Sequence, residues 1–398
     1  MSLNYNTLLK ILESNLKNFS EISGNLKQVE TVLITSSLAL GGSEKTLFNL
    51  CKNLKNQKIF VINLSTKQFF SEKIEKEGIS LYNCKINKLN FIIKFIKIIY
   101  LISQLKPKVI QTWMYHADFL SIFLKIIFPF TKIFWGIRNG SKELKTSTKL
   151  IISFLAIFSY IVPFKIISCS NSATRMHKNI GYKSGKFITI NNGVDIEIFK
   201  NQLKLRTLFR KQYAIDESSI LFSMVARWSP QKDHLTVLKA FNILSNDIKT
   251  TCYLFMAGTN IDEKNNSLLN EINNIKSKKN IYLLGEIDKI ETLYNSADIN
   301  ILCAKRGEGF PNILCEAMAC GTPCIATNSG DALQIVGDFG FIIQENTVSQ
   351  LVDAMRRSIS EMSNQDDWNR KKINSIDHIK KQYSMEEMVD KYSKIWGI

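Results

Sequence analysis

Short apolar runs rich in β-branched and aromatic residues alternate along this chain with longer segments of helical periodicity, and that alternation confines it to parallel-sheet α/β architectures. The first run, VETVLITS (residues 29–36), is followed by LALGGSEK and then by TLFNLCKNLKN, whose Leu47, Leu50, Cys51 and Leu54 fall on one helical face. This reads as strand, glycine turn, helix. KIFVINLS (58–65), PKVIQTW (107–113) and KIFWGIR (132–138) repeat the strand form, and FITINNGVD (187–195) closes the first half. A polar helical stretch rich in Lys, Arg and Gln follows, with a linker expected near residues 194–217. The pattern restarts at ILFSMVA (220–226), TCYLFMAG (251–258), NIYLLG (280–285), DINILCA (298–304), TPCIAT (322–327) and FGFII (339–343). Strands separated by helices form parallel sheets covered on both faces. A chain of 398 residues exceeds what one core usually supports, so two doubly wound domains are expected. Ligands of such sheets bind at the carboxyl ends of the strands, in the cleft between the domains.

Apolar residues make up 45% of the chain and charged residues 22%, an ordinary balance for a folded protein. The net charge of +17 is not ordinary, and it is concentrated: residues 78–178 hold fifteen Lys or Arg against Asp118 and Glu143. The same stretch contains FIIKFIKIIYLI (91–102) and FLSIFLKIIFPF (119–130), with lysines set among aliphatics. An anionic membrane surface suits that mixture; core-facing helices with solvated lysines would also produce it. Nucleic acid is not expected, because the basic residues lack interleaved stacking aromatics. The longest uncharged run, LIISFLAIFSYIVPF (150–164), falls short of the roughly 20 residues a spanning helix needs. Residues 1–28 have charges breaking every apolar stretch and read as an amphipathic helical extension, not a secretory signal. The eight cysteines show no C-x2-C pair or nearby histidines, which points to buried free thiols and no metal.

The segment KRGEGFPNILCEAMACGTPCIAT (305–327) follows a strand and carries the clearest chemistry. Gly307 and Gly309 permit a tight turn, and Pro311 suits a helix start because its missing N–H would be orphaned there anyway. The amides of Asn312, Ile313 and Leu314 are expected to point free at the helix N-terminus, an anion site that fits a diphosphate. Glu308 lies before the helix and Glu316 about a turn inside it, where both can accept hydrogen bonds from sugar or ribose hydroxyls. The helix should stop at Cys320 and Gly321. In SMVARWSPQKDHLTVLKAF (223–241), Arg227 ends a strand and Lys232 follows before a helix. Two cations beside a departing diphosphate stabilise its developing charge.

With Glu308 and Glu316 in E-x7-E spacing inside EGFPNILCEAMACGTPCIAT, the sequence resembles glycosyltransferase family 4, retaining enzymes of the GT-B fold. The resemblance runs from about residue 29 onward. It implies that Glu308 contacts the transferred sugar, that Glu316 holds the ribose, and that the backbone of Gly309, Phe310, Pro311, Asn312, Ile313 and Leu314 cradles the diphosphate. Arg227 and Lys232 would assist the leaving group. LALGGSEKTL (38–47) resembles the family's G-G-x-E segment, in which Gly41 and Gly42 approach the donor phosphate. The domains implied are an acceptor-binding unit over 29–200, a donor-binding unit over 201–380, and a final helix, 381–398, crossing back to the first.

TWMYHADFLS (112–121) and WGIRNGS (135–141) follow strands and should line the acceptor side. The family often places a histidine near the reacting carbon; here His116 and Arg138 both compete for that role. His177, His234 and His378 are expected at the surface or as caps. The function implied is transfer of a hexosyl or N-acetylhexosaminyl group from a nucleotide diphosphate sugar, a UDP-sugar foremost, to a glycan or lipid-linked hydroxyl. No metal cofactor is expected. Assembly of a bacterial surface polysaccharide or lipopolysaccharide-type glycolipid, at the cytoplasmic face of the membrane, is the setting. The alternatives are a sugar-nucleotide 2-epimerase of the same fold and an inactive peripheral-membrane scaffold.

Overall fold

The structure, a computed structural model, describes residues 29–54, 58–87, 89–140, 146–305 and 307–398. The helix expected within residues 1–28 lies outside them. In the first half, strand β1 (Thr31–Thr35) leads to helix α1 (Gly42–Asn53), β2 (Ile59–Asn63) to α2 (Ser71–Lys76), and β3 (Ser80–Asn83) to α3 (Phe91–Leu105). Then come β4 (Val109–Trp113), α4 (Tyr115–Ile127), β5 (Lys132–Ile137), α5 (Thr146–Phe158), β6 (Lys165–Ser168), α6 (Asn171–Ile180) and β7 (Phe187–Thr189). All seven strands are parallel, in the order β3-β2-β1-β4-β5-β6-β7.

The second half follows α7 (Leu203–Gln212) with β8 (Ile220–Val225), α8 (His234–Asp247), β9 (Cys252–Ala257), α9 (Asn266–Asn273), β10 (Ile281–Leu283) and α10 (Ile290–Ser296). It continues through β11 (Ile299–Leu302), α11 (Asn312–Ala319), β12 (Cys324–Thr327), α12 (Ala332–Val336), β13 (Phe341–Ile343) and α13 (Val348–Met362). Six parallel strands are ordered β10-β9-β8-β11-β12-β13. Helices α14 (Gln365–Tyr383) and α15 (Met385–Trp396) end the chain. Two doubly wound parallel sheets are thus present, as the alternation predicts.

The central strands are buried along their whole length because both faces are covered: every residue of β1, β2 and β4 is buried, the polar Thr31, Thr35, Asn63, Gln111 and Thr112 included. Beneath one face, Leu47, Leu50, Ile74, Met388, Tyr392 and Trp396 of α1, α2 and α15 share a core; beneath the other, residues of α3, α4 and α5 do. Helix α15 therefore packs on the first sheet although it follows the second. Backbone bonds at the crossover pin it: Val194 N–H donates to the Tyr383 carbonyl (2.8 Å) and Met385 N–H to that of Val194 (2.9 Å).

Two strands exceed the sequence expectation. β3 is a partly exposed sheet edge with the polar ends Ser80 and Asn83, so it lacks an apolar run. β6 adjoins the apolar run of α5, and its pattern merges with the helix before it. The histidines also differ from expectation. His177 is fully buried, its Nε2 3.1 Å from the Tyr115 hydroxyl, and His234 is buried against Trp228. Burial pushes both imidazoles down to about 4. All eight cysteines are buried and free.

Candidate functional site

The strand order of each sheet reverses between neighbours, at β1/β4 and at β8/β11, and loops diverge there to leave a crevice. The loop after β11 enters the crevice of the second sheet and turns at Gly307 (φ +84°) into α11. Pro311 is the N-cap of that helix. Among the described residues the amides of Asn312 and Ile313 have no acceptor, but Leu314 N–H donates to the Pro311 carbonyl at 3.1 Å. Two amides, not the expected three, therefore face the crevice, because the first turn tightens onto Pro311.

Both carboxylates of the E-x7-E spacing are held. Glu316 Oε1 accepts from Lys45 Nζ at 3.0 Å, and its Oε2 accepts from the Tyr294 hydroxyl at 3.3 Å. Glu308 Oε1 lies 2.5 Å from Lys232 Nζ, which a tight turn (Pro230–Lys232) after β8 presents. Arg227, just past the end of β8, is exposed and has no ion-pair partner among the described residues. Its charge is therefore available to an anion.

From the first domain, Gly41 caps α1 and Gly42 brings backbone to the Asn312 side chain: a Cβ built on Gly42 would stand 3.8 Å from Asn312 Nδ2. Arg138, past the end of β5, stacks its guanidinium over Trp113 (4.2 Å) and donates to the Tyr392 hydroxyl (3.2 Å) and to Asn192 Oδ1. Asn192 in turn donates to Asn312 Oδ1 at 2.7 Å, joining the two domains.

These groups surround one cavity of ≈ 1030 Å³, lined by Gly42, Arg138, Arg227, Lys232, Glu308, Gly309, Phe310, Asn312, Ile313 and Glu316. Gly41, Pro311 and Leu314, also expected to contact the donor, do not line it: Gly41 and Pro311 cap their helices and Leu314 is fully buried. His116 is elsewhere. It is exposed and lines a separate, apolar cavity of ≈ 500 Å³ with Phe91, Phe119, Leu120 and Ile151. Five cations (Lys45, Lys73, Arg138, Arg227, Lys232) border the main cavity against four carboxylates (Glu286, Asp288, Glu308, Glu316), two of which pair with Lys232 and Lys45, and the unpaired Arg227 among them suits an anion. Glu44, at the first turn of α1, has its carboxyl raised by burial, with its own backbone amide and Lys67 opposing the shift. No group of three or more His, Cys, Asp or Glu among the described residues is disposed to hold a metal ion.

Sequence reasoning missed Lys45, Asn192, Tyr294 and Tyr392. Lys45 directly follows the G-G-x-E segment, and Asn192 lies in the NNG turn after β7, so both sat beside recognised signals. Tyr294 and Tyr392 sit inside helices and carry no local mark. Also missed was Asp331, whose two oxygens accept from the Asn171 and Ser172 amides (2.7 and 2.9 Å), capping α6 across the domain boundary. Burial raises its carboxyl, against the pull of those amides and of Arg175.

Comparison with known proteins bears on this arrangement. Residues 206–375, which include Arg227, Lys232, Glu308 and Glu316, match the family model described as glycosyl transferases group 1. The UDP-Gal:alpha-D-GlcNAc-diphosphoundecaprenol alpha-1,3-galactosyltransferase of Escherichia coli is 28% identical over 217 residues, 54% of this chain and 56% of that protein. The N-acetyl-alpha-D-glucosaminyl L-malate synthase of Bacillus anthracis is 23% identical over 211 residues, 52% of each. The chain thus spans about half the length of the curated relatives it matches. Among solved structures, Anabaena Alr3699/HepE in complex with UDP superposes with a TM-score of 0.82 at 15% identity, covering 92% of this chain and 99% of that one. The fold is shared with such glycosyltransferases: two parallel-sheet domains in the GT-B arrangement.

Proposed function

We propose that this chain is a retaining glycosyltransferase of the family 4 type. It would move a hexosyl or N-acetylhexosaminyl group from a UDP-sugar to a hydroxyl of a glycan or lipid-linked acceptor. The observation that carries the reading is the meeting of Arg227, Lys232, the free amides of α11 and two carboxylates in a single cleft. In it, residues 29–200 serve the acceptor, 201–380 hold the donor, and 381–398 strap the two together. Uridine and a lipid-linked acceptor are adopted from the name of the Escherichia coli relative. Bacterial surface glycan or glycolipid assembly at the inner face of the membrane is the setting that follows from such an acceptor.

Glu316 would hold the ribose hydroxyls, and the diphosphate would lie between the α11 amides, Gly42, Arg227 and Lys232. Glu308 would orient the sugar. The acceptor hydroxyl oxygen bonds to the anomeric carbon on the face from which the diphosphate departs. The bond from that carbon to the phosphate oxygen breaks, its electron pair leaves with the diphosphate, and the hydroxyl proton passes to a phosphate oxygen. Catalysis then rests on positioning and on cations aimed at the leaving group, with no enzyme base and no metal required. Arg138 lines this cleft and His116 does not, so the reading assigns the first-domain contact to Arg138.

A ligand that binds only the folded state raises its melting temperature, so a thermal-shift screen against UDP-, GDP- and ADP-sugars tests the donor. UDP-sugars should raise Tm; a flat response to all three classes would remove the basis of the reading. Lys232→Ala should lower kcat by about 10²–10³-fold, with donor affinity little changed. Wild-type turnover in that variant would overturn its role. Nucleotide release that depends on added acceptor separates transfer from epimerisation and from an inactive scaffold.

A further inference from the structure

The apolar cavity of ≈ 500 Å³ that contains His116 shares no lining residue with the donor cleft. Its floor comes from the segments just past β1, β2, β3 and β4, so it too lies at the carboxyl edge of a sheet. Its walls are α3, α4 and α5. Every lining residue falls within 29–200, the part of the chain read as serving the acceptor. We infer that this cavity holds the hydrocarbon chain of a lipid-linked acceptor, whose polar end then reaches the donor cleft. Calling that lipid the acceptor rests on the transfer reading proposed above.

The lining determines the class of occupant. Leu64, Ile86, Phe91, Phe119, Leu120 and Ile151 are apolar, and no carboxylate, lysine or arginine is among the lining residues. The two serines are already engaged. Ser36 Oγ donates to the Trp113 carbonyl (3.3 Å) and accepts from Ala117 N–H (3.2 Å), and Ser65 Oγ accepts from Lys67 N–H (3.1 Å). That leaves His116 as the one polar side chain of the lining with no bond partner among the described residues. A sugar ring or a phosphate inside would lose its water and find one partner, a cost that a hydrocarbon chain does not incur. Apolar surface left open to water is instead stabilised by an apolar occupant.

The position suits a ligand shared between a membrane and the cleft. Phe91 is itself exposed, and its neighbours in sequence, Leu89 and Ile92, are exposed apolar side chains as well. Phe91 and Phe119 also belong to a row of packed rings that continues through Phe95, Phe123 and Phe154 along the outer side of α3, α4 and α5. The cavity is thus continuous with exposed apolar surface. Toward the cleft, Met114 N–H donates to the Gly136 carbonyl at 2.9 Å, so the segments after β4 and β5 leave the sheet side by side. One brings His116 to this cavity and the other brings Arg138 to the donor cleft. The loop after β1 likewise touches the cavity at Ser36 and the cleft at Leu40 and Gly42.

The test titrates the full chain with butyl, hexyl and octyl β-glucoside, each below its micelle concentration, and with UDP in parallel. The glucosides are neutral, so attraction to lysines plays no part. A buried methylene tightens binding about fourfold, so each two-carbon step should tighten it roughly fifteenfold. Phe91→Glu, which sets a carboxylate in the exposed wall, and Ile151→Trp, which fills the space, should each cut the step to under about threefold. UDP affinity should not change in either, because neither residue lines the cleft. Ile126→Glu with Ile157→Glu, at exposed positions outside the cavity, should leave the step intact. A step under about threefold in the unaltered chain overturns the inference and leaves the cavity to a side chain of another protein. So does a step that survives both lining variants, and so does one that the Ile126 and Ile157 changes remove, since the alkyl chain would then lie on the outer surface. UDP that fails to bind overturns the donor reading and not this seat.

Discussion

Asp118 shows how strongly one buried carboxyl can couple this fold to pH. It is fully buried; one oxygen accepts from Thr112 Oγ1 and the other has no partner among the described residues. Burial raises it from 3.8 to about 8, with the Thr112 bond and a Gly136 backbone contact opposing. Between those values the unfolded chain has released a proton that the fold retains, so stability falls as pH rises through the window and levels above it. Asp118→Asn keeps the acceptor and cannot ionise. Its Tm advantage over the wild type should grow from about pH 4 to about pH 8 and then stay constant; a pH-independent difference would show that the carboxyl is ionised in the fold. His177 acts in the opposite sense. Held down to about 4 against 6.5, chiefly by burial, it costs stability as pH falls through that interval. At this scale the sequence discloses residues that sit beside punctuation. Glu308, Glu316, Arg227 and Lys232 flank glycine or proline turns at strand ends, and those turns announce loops at a carboxyl edge. Lys45 and Tyr392 acquire their roles from partners 271 and 254 residues away, Glu316 and Arg138, which no local pattern encodes.

At the scale of elements, the strands that read clearly are those whose short, mostly apolar run stands apart between polar residues. The edge strand β3, with polar Ser80 and Asn83 at its ends, lacks such a run, and β6 is buried but merges with the apolar run of α5 before it, so neither stands out. Helix α15 is different: its amphipathic pattern is plain, but what it packs on follows from tertiary structure. Met388, Tyr392 and Trp396 enter the core shared with α1, and Trp396 Nε1 donates to the buried Gln111 Oε1 at 3.2 Å. Tyr392 also holds Arg138 toward the cleft. Trp396→Ala removes a large buried side chain and leaves Gln111 with a lost donor, so the first sheet should lose about 3–5 kcal/mol in urea unfolding. A loss under about 1 kcal/mol would mean that the helix does not dock as described.

At the scale of the molecule, the two domains are held together by Lys45–Glu316, Asn192–Asn312 and the Asp331 cap on α6, which together close the cleft around the candidate site. The opposite demand falls on the outer side of the first domain. An aromatic chain, Phe91–Phe95–Phe123–Phe119–Phe154–Phe158, runs across α3, α4 and α5 with ring separations of 4.7 to 6.0 Å. Around it Leu89 (97%), Phe130 (99%), Ile92, Ile126, Leu150, Ile157 and Ile161 stand exposed. The sequence left two readings of this stretch, core-facing helices or a surface for anionic membrane, and exposure on this scale favours the second. No helix among the described residues is long and apolar enough to cross a membrane, so any attachment through them is to the surface. Lysines among exposed aliphatics combine insertion with attraction to anionic headgroups. The chain should therefore sediment with phosphatidylglycerol-containing vesicles at about 0.1 M salt, where charges act over roughly 10 Å, and much less at about 1 M, where they act over roughly 3 Å. Ile126→Glu with Ile157→Glu should abolish sedimentation at either salt while leaving UDP affinity intact, because both positions lie outside the cleft. Equal binding to neutral phosphatidylcholine vesicles would show that the lysines play no part, and no binding to either would return this stretch to core-facing helices with solvated lysines.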